Sequence, residues 1–255
     1  MTDDKFKDLQ GYSGEDKIVT SHELRLAMSQ EKDTHVNVKS LIPSLDAACE
    51  GFRGGELITI SGPTKNGKTL LAQTLTVNFA KQYVFPLWFS FEVPARQFLS
   101  QFPELPLIYM PQTLKPRAMD WFEDRVYESF AKYNTRAIFI DHLHYLVDLA
   151  RQKQMSIEIG TIIRRLKTLA VQGDFVIFLL CHTSKSKPDG TLSYESIRDS
   201  SFIAQESDSV IMVRRTPEDG ENTARARVEF HRRTGVMERV IDLVKVDGLL
   251  KERTY

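Results

Sequence analysis

The chain has almost no cysteine, no net charge and no long apolar run, and each shortage removes a class of protein. Of its 255 residues only Cys49 and Cys181 are cysteines, and neither sits in a metal-ligand spacing. That excludes a disulfide framework and a cysteine-based zinc module, and it suits a reducing cytoplasm. Basic and acidic residues number 34 each, so the formal net charge is zero. A bound polyanion would have to be held by a local basic surface. No window approaches the ~18 apolar residues of a membrane span, and Met1 to Lys5 lacks the apolar stretch of a secretory leader. Internal repeats and low-complexity tracts are also missing. What remains is an ordinary globular composition, 42% hydrophobic and 27% charged, long enough for one substantial core.

Residues 1–19 read as a polar, loose arm. Thr20-Ser21-His22-Glu23 has capping-box spacing and opens a short amphipathic helix through Leu24, Leu26 and Met28. The expected organisation is an arm over 1–40 carrying this linker-type helix (residues 21–31), then one domain over 41–255. In that domain strands are expected at 56–61, 84–91, 137–141, 175–181 and 209–214. Helices are expected at 68–82, 94–102, 118–133, 156–172 and 199–206. After 215 a polar turn separates extended segments at 210–215, 224–232 and 236–246. The reading is an α/β fold of the P-loop class, mainly parallel, with an antiparallel C-terminal extension.

The most informative stretch is Gly62-Pro63-Thr64-Lys65-Asn66-Gly67-Lys68-Thr69, a full match to G-x-x-x-x-G-K-[ST]. The two glycines let the backbone turn its N–H groups toward a polyphosphate. Lys68 is placed to meet the β- and γ-phosphates, and the Thr69 hydroxyl to ligate Mg²⁺. An apolar strand precedes the loop and a helix with Leu70, Leu71, Leu75 and Phe79 follows it, so the helix N-terminus faces the phosphates. These residues imply binding of a nucleoside triphosphate.

Ligands in open α/β sheets sit at the carboxyl ends of strands, which makes polar residues there candidates. Strand 137–140 ends in Asp141, the place for a metal-associated carboxylate. Strand 84–91 ends in Glu92; a general base and a helix N-terminal glutamate favoured by the dipole stand as equal readings of it. Strand 175–181 ends in Cys181-His182-Thr183, where a polar group can sense a γ-phosphate, although a lone histidine is more often structural. Asp141-His142-Leu143-His144 is rejected as a metal site, because two histidines lack a third ligand at a known spacing. Arg225, Arg227 and Arg239 alternate along strands as solvated edge residues do. Segment 184–200, with Lys185, Lys187 and Arg198, reads equally as a phosphate-backbone contact and as a surface loop.

In this order the pieces resemble the RecA-like ATPase domain of the DnaB family of replicative hexameric helicases, over residues 40–246. Ile42 to Asp46 followed by Gly51 to Leu57 is similar to the family's approach to its phosphate loop. Ser90-Phe91-Glu92-Val93-Pro94 resembles Ser-Leu-Glu-Met-Pro, and Ile140-Asp141-His142-Leu143-His144 resembles Ile-Asp-Tyr-Leu-Gln. The resemblance implies that Glu92 is the catalytic base and Asp141 the Walker B carboxylate. It also implies that His182 is the γ-phosphate sensor, a histidine as in phage primase-helicases and the mitochondrial replicative helicase. Ile197 to Asp208 is similar to the stretch that holds single-stranded DNA in the channel of relatives, with Arg198, Asp199 and Ser201 at the matching positions. His231-Arg232-Arg233-Thr234-Gly235 resembles Lys-x-Arg-x-Gly, which implies Arg233 as the finger completing a neighbour's site. Two positions depart from the family: His231 replaces its lysine, and Ser201 replaces the glycine of the DNA loop.

The resulting expectation is an ATP- and Mg²⁺-dependent DNA helicase. It would be a homo-oligomer, a hexameric ring on single-stranded DNA, with primase or other replication proteins as partners, in the cytoplasm of a bacterium or phage-infected host. No scaffolding or primase domain is expected before the core, so the 21–31 helix is expected to dock on the next subunit. The rivals are a RecA-like recombination or repair ATPase and a non-motor ATP switch that partners a helicase.

Overall fold

The computed structural model describes residues 3–30, 35–147, 155–183 and 200–254. They fall into two compact units, 1–35 and 36–255. In the first unit, helix α1 (Asp3–Gln10) lies in the arm expected to be loose. Phe6 and Leu9 sit three apart on it, and Lys7 in its last turn suits the helix dipole. Helix α2 (Ser21–Gln30) starts where the capping box puts it. The Thr20 Oγ1 accepts from Glu23 N at 3.2 Å while Glu23 Oε2 accepts from Thr20 N at 2.8 Å.

The second unit opens with a small antiparallel pair, β1 (Asn37–Val38) and β2 (Phe52–Arg53), around helix α3 (Pro43–Cys49). Pro43 at the first helical turn has no N–H to leave unsatisfied. The main sheet follows: β3 (Leu57–Gly62), α4 (Lys68–Ala80), β4 (Leu87–Ser90), α5 (Ala95–Leu99), α6 (Met119–Tyr133), β5 (Ala137–Asp141), α7 (Met155–Gly173), β6 (Val176–His182), α8 (Ser200–Glu206), β7 (Ser209–Arg215), β8 (Thr223–His231), β9 (Met237–Val246) and β10 (Leu249–Glu252). Its strand order is β10-β9-β8-β7-β3-β6-β5-β4. Strands β7, β3, β6, β5 and β4 run parallel, and β8, β9 and β10 extend β7 in antiparallel steps. This is the mainly parallel α/β sheet with an antiparallel C-terminal extension that the sequence pattern implies.

The short β1, β2, α3 and β10 have no counterpart in that pattern, and β4 is shorter than the apolar run 84–91. Pro86 cannot donate to a ladder, so pairing begins after it on this edge strand. Strand β8 is not an edge. It lies between β7 and β9, and its arginines face carboxylates: Arg225 Nε is 2.7 Å from Asp242 and Arg227 Nη2 is 2.8 Å from Glu238. The reading of these residues as solvated edge charges is therefore corrected to cross-strand ion pairs.

Both faces of the sheet are covered, which is why β3, β5 and β6 are buried almost without a break along both faces, Thr59 and Ser61 of β3 included. On the face under α3 and α4, Trp88, Phe139 and Phe178 occupy adjacent register positions on β4, β5 and β6. Their rings stack at 4.7 and 4.5 Å, and Phe79 from α4 packs on Phe178 at 5.6 Å. On the other face Phe122 of α6 and Ile163 and Leu166 of α7 pack with Phe89, Ile140 and Leu179. These buried layers fix the strand ends that carry the site.

Candidate active site

Four parallel strands end side by side, and register sets what stands at each end. Gly62 of β3 pairs with His182 of β6, and Ser90 of β4 pairs with Asp141 of β5. The loop 62–67 leaves β3 and enters α4. Gly62 has φ +150°, and a Cβ there would stand 2.1 Å from the Val213 carbonyl oxygen of β7, so only glycine lets the loop pass. Gly67, at φ +93°, caps α4. Asn66 braces the loop: its side chain accepts from Arg215 N at 3.0 Å and donates to Thr64 O at 3.0 Å. Pro63 and Lys65 complete the curve, Lys65 with φ 62°.

Lys68 is buried and donates to the carbonyls of Gly62 and Pro63, both at 2.9 Å. Burial holds its pKa below the usual lysine range, while Asp141 and Glu92 pull the other way. Thr69 Oγ1 donates to Asp141 Oδ2 at 2.9 Å. The Asp141 carboxyl is pushed up to about 6, mainly by burial; Glu92 adds to the rise and the Thr69 bond opposes it. Thr69 and Asp141 offer only oxygen donors, which fits Mg²⁺.

Glu92 follows β4 across a tight link. Phe91 N and Glu92 N both donate to Asp141 O, at 2.8 and 3.3 Å, so the end of β5 positions Glu92. Its Oε2 lies 3.4 Å from His142 Nδ1 and 3.9 Å from His182 Nε2. His142 is pushed down to about 4, first by burial and then by His182. His182 is also lowered, by burial and by nearby Lys68. Both rings are therefore neutral at neutral pH. His142 is the residue sequence reasoning set aside, having considered it only with His144. Its signal was its place, one residue past Asp141 at a strand end.

The structure thus brings together Lys68, Thr69, Glu92, Asp141 and His182. Arg233 is elsewhere. Its Nε lies 2.8 Å from Glu56 Oε1 and its Nη1 3.2 Å from Glu50, and its Nη2 donates to the carbonyls of Cys49 and Gly51 at 2.7 and 2.9 Å. Instead of projecting outward as a finger would, it clamps the turn after α3 within its own subunit. His231 is buried beneath it, 3.9 Å from Glu56, so it is not a free cation either. Arg232 is the more exposed guanidinium of this turn, at 54%, donating to Gln205 O. Lys185, Lys187, Arg198 and Asp199 lie outside the described residues, and Ser201 falls in the first turn of α8.

Solved structures define the class. The chain superposes on a DnaB-like replicative helicase, solved for its interactions with primase, with TM-score 0.77 and 15% identity, covering 97% of this chain and 70% of that one. It superposes on a second solved structure, an ATPase domain, with TM-score 0.78 and 15% identity, covering 91% of this chain and 97% of that one. The fold is that of a RecA-like helicase ATPase domain. A family model described as the DnaB-like helicase C terminal domain matches residues 107–243, and the chain belongs to this family of replicative helicases.

Proposed function

We propose that the chain is the ATP-hydrolysing motor of a DnaB-type DNA helicase. The observation that supports this most is the convergence of Lys68, Thr69, Glu92, Asp141 and His182 on the ends of four adjacent strands. Loop 62–69 holds the phosphates, and Lys68 leaves its two carbonyl partners for the β- and γ-phosphates. Thr69 and Asp141 would hold Mg²⁺, which supplies charge neutralisation on the phosphate oxygens. Glu92 takes the proton of the attacking water and His182 bonds the γ-phosphate.

In this proposal subunits assemble into a ring on single-stranded DNA. The 21–31 helix docks on the next subunit, and residues 184–201, with Lys185, Lys187, Arg198, Asp199 and Ser201, hold the DNA backbone. Primase and other replication proteins in the cytoplasm are the proposed partners. Arg233 is the finger of this ring in the proposal, and its clamp on the turn after α3 opens when it reaches a neighbour's nucleotide.

The test is ATP-driven separation of a forked duplex with single-stranded tails, with Lys68→Ala as control. Strand separation lost in Lys68→Ala supports the motor. ATP hydrolysis without strand separation would favour a recombination-type filament or a non-motor switch.

A further inference from the structure

We propose that Glu92, His142 and His182 form a binding site for one transition-metal ion of the Zn²⁺ class, distinct from the Mg²⁺ ligands. One donor atom from each of the three lies within 4.8 Å of the other two, the one such group of three among the described residues. The Glu92 Oε2 distances are 3.4 Å to His142 Nδ1 and 3.9 Å to His182 Nε2. A four-coordinate ion with ligands at ~2.0–2.1 Å sets its donors about 3.3–3.4 Å apart, so small side-chain rotations close the site.

His142 Nδ1 is buried and faces the Glu92 carboxylate at 3.4 Å, so the imidazole nitrogen and the carboxylate oxygen already point at one another where an ion would sit between them. The three residues come from the ends of the neighbouring strands β4, β5 and β6, so the sheet holds the donors in place before any ion arrives. The imidazole rings meet edge to face, their centroids 4.4 Å apart.

The donor set decides the ion. Two imidazoles and one carboxylate suit Zn²⁺, Co²⁺ or Ni²⁺, whereas Mg²⁺ takes oxygen and keeps its water. Glu92 is 40% exposed, which leaves an entry path and an open coordination position. A bound ion occupies the Glu92 lone pair that would otherwise accept a proton from water, so the same event stops hydrolysis. That consequence rests on the role proposed above for Glu92; the binding does not.

The experiment is a titration of Co²⁺ into the chelator-treated full chain, without nucleotide and with millimolar Mg²⁺ present, read by visible ligand-field absorption. Saturation at one equivalent, displacement by Zn²⁺, and binding weakened more than about tenfold by His142→Ala and by His182→Ala are expected. His22→Ala, in the arm, leaves binding unchanged. Thermal melts report whether each variant folds, and the near-isosteric Glu92→Gln repeats the test if a histidine variant does not. Absence of saturation at one equivalent, or affinity that survives loss of the donors, overturns the site. Zn²⁺ binding that leaves ATP hydrolysis intact keeps the site and removes Glu92 as the base.

Discussion

Thr69 Oγ1 and Asp141 Oδ2 are joined by a 2.9 Å hydrogen bond across 72 positions of sequence. This bond ties the first turn of α4 to the end of β5. Both partners are poorly exposed to water, so the bond holds two oxygen donors at the distance a shared hard cation requires. Thr69→Val keeps the shape and removes the donor. Unfolding free energy is expected to fall by about 1–3 kcal/mol, because the buried carboxylate loses its partner. Hydrolysis is expected to need much more Mg²⁺. Urea denaturation and a Mg²⁺ titration of turnover measure the two effects, and an unchanged Mg²⁺ requirement would remove Thr69 from the metal site.

The backbone N–H groups of Phe91 and Glu92 both donate to Asp141 O, so the Glu92 side chain can be changed without removing the bonds that hold it at the strand ends. Glu92→Gln is expected to bind ATP normally and to lose about 10²–10⁴-fold in turnover, the range for a positioned general base. Nucleotide binding by fluorescence and single-turnover hydrolysis separate binding from chemistry. Normal turnover would exclude Glu92 as the base.

Gly62 sits where β3 leaves the sheet beside β7, and the Val213 carbonyl fills the space a side chain would need. Because the blocking atom is backbone in a paired strand, it cannot swing aside. Gly62→Ala is expected to displace the loop and abolish nucleotide binding, with a lowered melting temperature. Gly235, with φ +70° and no atom within 4 Å of an added Cβ, is the control: Gly235→Ala carries only backbone strain. Equal nucleotide affinity in the two variants would refute the steric account.

Much of this organisation is legible in the sequence because it is local. The phosphate loop is contiguous, the strand ends are marked by Asp141, Glu92 and His182 after apolar runs, and the capping box at Thr20 and Glu23 spans one turn. What escapes depends on the distant chain. β1 and β2 are two-residue strands with no period to detect. β10 is set by its pairing with β9, and its Leu250 N donates to Thr74 Oγ1 of α4 at 3.0 Å. His142 acquires meaning only when β4 and β6 bring Glu92 and His182 beside it. The contacts of Arg233 are likewise set by the distant chain: Glu56, three residues after Arg53, holds it against the turn after α3.

Glu56 is buried, and its carboxylate is shared between Arg53 N at 2.8 Å and Arg233 Nε at 2.8 Å. Removing one partner of a buried ion pair leaves a charge without its counter-charge, whereas removing both costs far less. Arg233→Ala is expected to destabilise the domain by about 2–4 kcal/mol, with Arg233 partly exposed placing it toward the low side. Adding Glu56→Gln to Arg233→Ala should recover part of that loss, and a double-mutant cycle of urea denaturation midpoints measures the coupling. Arg232→Ala, which gives up the bond to Gln205 O and a 3.7 Å ion pair with Asp208, is expected to cost less than Arg233→Ala, about 1 kcal/mol, because its guanidinium is the more exposed. If Arg233→Ala instead keeps its stability and loses hydrolysis only in the assembled state, the residue acts on a neighbour's nucleotide and the clamp is incidental.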